Sequence, residues 1–132
     1  MGAWGVGSFE NDEASDWVCD LEDVQDWGDV RAALQEVMDG SGDDEPSVCC
    51  VALAAGEVVA AAIGRPIPDL PDEAAAWVKE HQACPDDLAA LAGQAVSRVG
   101  TRSYLLELWE ESDSLEPWRA TIRDLESRLR AN

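Results

Sequence analysis

Residues 48–63, VCCVALAAGEVVAAAI, constrain the fold more than any other stretch, because Glu57 is the one charged position in the run. A helix with no polar face has to lie inside a bundle, surrounded by others. As a membrane span the run is too short, rich in alanine and interrupted by a carboxylate. Glu57 itself has three readings. It lies on a narrow exposed strip, it pairs with Arg31 or Arg65 as a strut in the core, or it is a functional acid, since an unpaired buried carboxylate is costly.

The flanking sequence supplies amphipathic helices to cover such a core. Ala14, Trp17, Val18 and Leu21 fall at i, i+3, i+4, i+7, with Asn11 placed as N-cap and Asp12 and Glu13 in the first turn. Val30, Ala33, Leu34, Val37 and Met38 repeat the pattern, and GSGDDEPS (40–47) reads as a loop. After the proline-rich connector RPIPDLP (65–71), Asp69 or Asp72 starts a helix that turns Ala74, Trp77 and Val78 inward. Leu88, Leu91, Ala92, Ala95 and Val99 form the next stripe, which Gly100 is expected to end, with Thr101 capping a short successor through Tyr104, Leu105, Leu108 and Trp109. Leu115, Trp118, Ile122, Leu125 and Leu129 make a last seam, with Pro117 tolerated in its first turn and Asp124–Arg128 and Glu126–Arg130 as i, i+4 pairs. No segment alternates with period two. The expectation is one all-α domain over 1–132, a compact bundle of six or seven short helices with an ordered Gly/Trp-rich N-terminal segment.

Charge narrows the classes of partner. The net charge is -19, and residues 1–64 hold fifteen acids against Arg31 alone. Such a field repels nucleic acid and anionic lipid, so neither is expected to bind, and it favours basic proteins or cations. The four cysteines lack zinc spacing and read as reduced, structural thiols. With no positively charged leader ahead of an apolar segment, the expected location is the cytoplasm.

The opening MGAWGVGSFENDEASDW concentrates glycine and aromatic residues. Gly2, Gly5 and Gly7 permit tight backbone turns, so that Trp4 and Phe9 fold back against the first helix as a clasp. The alternative is a binding surface built from Trp4, Phe9 and the acids that follow. Asp12, Asp16 and Asp20 recur at every fourth residue on one outward face, either as a solvated strip or, less simply, as oxygen ligands for a divalent metal. His81 is the only histidine and sits near a helix end, and no Gly-x-Ser-x-Gly motif or Gly-Lys-Ser/Thr phosphate loop appears. No cofactor is expected.

These stretches, together with LAAGEVVAAAIGRP, PDLPDEAAAWV, LLELWEES and PWRATIRDLESRL, resemble the bacterial family known as domain of unknown function 4259, over nearly the whole chain. Its recurring pattern falls on Gly2, Trp4, Gly5, Gly7, Phe9, Asn11, Asp12, Ala14 and Asp16, and its central helix on Glu57 and Gly64. The resemblance implies membership and carries no catalytic role with it. Size, acidity and the missing catalytic constellation favour a protein-binding module, inhibitor- or immunity-like, that engages a basic partner through its N-terminal half. The alternative is a divalent-metal-dependent enzyme or small-ligand receptor using Asp12, Asp16 and Glu57.

Overall fold

The computed structural model describes residues 7–21, 23–24, 26–39, 46–68, 70–81 and 84–130. Within them lie seven helices and no strand: α1 (Asp12–Leu21), α2 (Gly28–Asp39), α3 (Pro46–Ala62), α4 (Asp72–Glu80), α5 (Asp86–Thr101), α6 (Tyr104–Glu110) and α7 (Leu115–Arg130). The expected all-α bundle is what forms. Helix α3 is the axis, contacting all six of the others, and residues 52–60 are buried without interruption. An apolar run with no polar face has found the one position that suits it.

Each surrounding helix turns its stripe onto α3. Ala14, Val18 and Leu21 of α1, Val30, Ala33, Leu34 and Val37 of α2, and Trp118, Ile122, Leu125 and Leu129 of α7 are all buried. Pro117 costs no hydrogen bond, and the Trp118 amide beside it donates to Ser114 at 3.0 Å, closing the first turn. The Trp77 indole donates to the Val24 carbonyl at 2.9 Å and meets Trp27 edge-on, which fastens α4 to the α1–α2 connection. His81 stacks on Trp77 with ring centroids 4.2 Å apart, next to the end of α4. It is a packing residue.

Helix α3 stops at Gly64, whose φ of 89° only glycine adopts without strain. The Arg65 amide bonds to the Ala60 carbonyl and the Gly64 amide to the Ala61 carbonyl, the pair of bonds of a Schellman motif. Gly100 behaves differently from expectation. Helix α5 runs through it to Thr101, and the break comes at Ser103, which is extended and whose hydroxyl accepts from the Leu106 amide as the N-cap of α6. Thr101 turns back instead, donating to the Ser97 carbonyl.

Gly100 serves packing rather than termination. A Cβ there would lie 2.7 Å from Ile122 Cγ2, whereas a Cβ on Gly93 meets nothing within 4 Å. The same substitution is therefore expected to have opposite signs at the two positions. Gly93→Ala should stabilise by about 0.5–1 kcal/mol through helix propensity, and Gly100→Ala should destabilise by about 1–3 kcal/mol through overpacking against α7. Urea denaturation of the two variants beside the parent protein measures both.

Candidate functional site

The buried polar residues of the described chain are Ser8, Asn11, Glu57 and Ser103, and the first three cluster beside the C-terminal half of α3. Residues 7–10 form a turn in which the Glu10 amide bonds to the Gly7 carbonyl, while the Glu10 carboxylate accepts from the Gly7 amide at 3.0 Å. That turn aims Ser8 inward. Asn11 then caps α1, its Oδ1 accepting from the Ala14 amide at 2.8 Å as the sequence leads one to expect. Phe9 is partly buried against the core, so the described part of the clasp does fold back. Trp4, with Gly2 and Gly5, lies outside the described residues.

Glu57 has 0% exposure and is fully engaged. Ser8 Oγ donates to its Oε2 at 2.8 Å, and Arg128 grips both oxygens, Nη1 to Oε1 at 2.7 Å and Nη2 to Oε2 at 3.1 Å. The same guanidinium donates from Nη1 to the Arg65 carbonyl at 3.2 Å and from Nε to Asp124 at 2.9 Å. A planar five-donor fork satisfies this arrangement and an ammonium does not. Burial opposes the charge on Arg128, but the hydrogen bonds and charges of Glu57 and Asp124 outweigh it and raise the pKa above the usual arginine value.

Of the three readings of Glu57, the core strut is the one that forms, with its partner corrected. Arg128 holds it, and neither Arg31 nor Arg65 does. Arg31 is taken by Asp87 in a bidentate pair at 2.7 and 2.9 Å that links α2 to α5, and Arg65 contributes only its carbonyl, which the Schellman turn presents. Sequence reading missed Arg128 because Asp124, one turn before it, already looks like a sufficient partner. The available signal was an arginine adjacent to the apolar seam, where its stem packs inward.

Chemically the cluster ties three segments together. Ser8 and Glu57 are both buried, and Arg128 donates to Glu57, Asp124 and the Arg65 carbonyl. Cys50 and Cys84 offer no thiolate at neutral pH. Burial first, and then the nearby negative charges, push the Cys50 thiol up to about 12 and the Cys84 thiol up to about 11. Cys49 and Cys50 are buried as structural thiols, whereas Cys19 is exposed on α1.

Asp12, Asp16 and Asp20 are all exposed on α1, as are Asp23, Asp26, Asp29, Glu36 and Asp39 beyond them. Successive turns set the three α1 carboxylates about 6 Å apart along the axis, side by side rather than around a point. Among the described residues no group of three or more His, Cys, Asp or Glu side chains is placed to hold a metal ion.

The fold and the cluster together define a helical bundle in which Ser8, just ahead of α1, is tied to the central helix. A family model described as "Domain of unknown function (DUF4259)" matches residues 2–121, and the chain belongs to that family. The match takes in Ser8, Asn11 and Glu57 and ends before Arg128. No curated protein and no solved structure matches the chain. Among the described residues no helix is long and apolar enough to cross a membrane.

Proposed function

We infer that the protein is a small cytoplasmic binding module whose acidic α1–α2 face engages a basic surface on a protein partner, in the manner of an inhibitor or immunity protein. One observation carries this reading. Asp12, Asp16 and Asp20 of α1 and Asp29, Glu36 and Asp39 of α2 are exposed, while Arg31, the one basic residue among positions 1–64, is paired with Asp87. The sequence before residue 65 thus supplies that face with acids far in excess of bases. Such a field speeds encounter with a basic partner and excludes nucleic acid and anionic membrane, and screening by salt weakens it. The buried tie through Ser8, Glu57 and Arg128 supports the reading from beneath, since it fixes the start of α1 on the bundle and presents the acids on a rigid element.

The test is the triple variant Asp12→Asn, Asp16→Asn, Asp20→Asn. It is expected to keep its helical circular-dichroism signal and to slow association with the partner by about tenfold or more at low ionic strength. Unchanged association by a folded variant would remove α1 from the binding face.

A further inference from the structure

We infer that the turn at residues 7–10 and the last turns of α7 are a conformational device that opens as one unit, with Glu57 as the relay between them, while the rest of the bundle stays closed. Ser8 lies 49 positions before Glu57 and Arg128 lies 71 after it, yet both donate to the same Oε2, at 2.8 and 3.1 Å, and Arg128 also holds Oε1 at 2.7 Å. The other hydrogen bonds of the turn are local. Glu10 and Gly7 bond to each other, and Asn11 Nδ2 donates to the Ser8 carbonyl at 3.4 Å. Among the described residues, the Ser8 hydroxyl thus makes the hydrogen bond that carries this turn onto another helix.

Burial makes the two attachments depend on each other. While Ser8 and Glu57 are both excluded from solvent, the Glu57–Arg128 pair acts at close range in a dry setting. Lifting the Ser8 turn admits water to the carboxylate and weakens the hold on Arg128. Withdrawing Arg128 leaves a buried carboxylate with one neutral donor, an arrangement relieved only by water that enters where the Ser8 turn lies. Each opening therefore favours the other, and the coupling is reciprocal. The bonds of the cluster run among residues 8, 11, 57, 65, 124 and 128 and do not reach α2 or α5. A change at the C-terminal end of α7 thus loosens the start of α1. Only the consequence for a partner, a less rigid α1, rests on the binding reading above.

Residue-resolved amide hydrogen exchange on the full chain without any partner tests the coupling, so that its failure is distinct from failure of the binding reading. Ser8→Ala is expected to speed exchange across residues 125–130 by about threefold or more, besides its effect on its own turn. Arg128→Lys keeps the charge and loses the fork, and it is expected to speed exchange of the Glu10 and Ala14 amides by a similar factor. Val37→Ala removes buried packing in α2 without touching the cluster. It should leave both ends at the parent rates, because they open at a lower free energy than the whole protein. Acceleration confined to the substituted segment in either cluster variant would overturn the coupling. So would equal acceleration of both ends by Val37→Ala, which means that they open only with the whole bundle. If Val37→Ala does not fold, the two cluster variants decide between coupled and independent ends.

Discussion

Arg128→Met is expected to destabilise the fold by about 3–5 kcal/mol, the cost of leaving a buried carboxylate without its counter-charge. Glu57 has 0% exposure, and Ser8 would be its one remaining side-chain donor. Methionine keeps the stem that Arg128 packs and removes the fork, so the loss reports charge and hydrogen bonding rather than a cavity. The double variant Glu57→Leu, Arg128→Met should recover most of the loss, because an apolar pair of similar volume is often as stable as a buried ion pair. Urea denaturation of the two single variants and the double variant forms a thermodynamic cycle. A single variant within about 1 kcal/mol of the parent would mean that Glu57 reaches water when Arg128 is gone, against its burial in α3.

Trp118→Ala is the second large effect, at about 3–5 kcal/mol. Trp118 is 2% exposed and opens the seam of α7. Its ring lies nearly parallel to that of Trp109, with centroids 6.1 Å apart, so that it packs against α6 within the core cluster. Truncation leaves a cavity bounded by two helices that Pro117 and the Ser103 cap hold in place, and such a site collapses poorly. A loss below about 1 kcal/mol in the same denaturation experiment would place the seam outside the core.

The contrast between these two residues shows what the sequence made legible. Trp118 belongs to a run whose alternating three- and four-residue spacing is a property of one helix, and local periodicity identifies its buried face. Asn11 is legible for the same reason, since a cap bonds within its own first turn. Glu57 is legible as an anomaly but not as a solution, because its partner lies 71 positions away and nothing local distinguishes Arg128 from Arg31 or Arg65. The Gly100 reading failed on a related point. A glycine near the end of a stripe looks like a stop, yet this one is small because Ile122 of another helix needs the space.

The two surfaces differ in the same way. Acidity of the N-terminal half is a count, and its exposure on α1 follows from the helix period. A groove between α5 and α7 depends on two helices brought together antiparallel, and the residues that line it are spread from Asp86 to Arg130. For the described part of the N-terminal segment, the clasp is what the bonds of Gly7, Ser8 and Asn11 show. These bonds give a structural account of Gly7, Ser8 and Asn11 within the N-terminal pattern. The acids that follow it on α1, Asp12, Asp16 and Asp20, are exposed.

The most direct test of the binding role is recovery of the C-terminally tagged protein from its own host at low and at high salt, with the captured proteins identified by mass spectrometry. One stoichiometric, basic partner retained at low salt and released at high salt is the predicted result. A partner held equally at both, or one that is acidic, would contradict capture by the α1–α2 face.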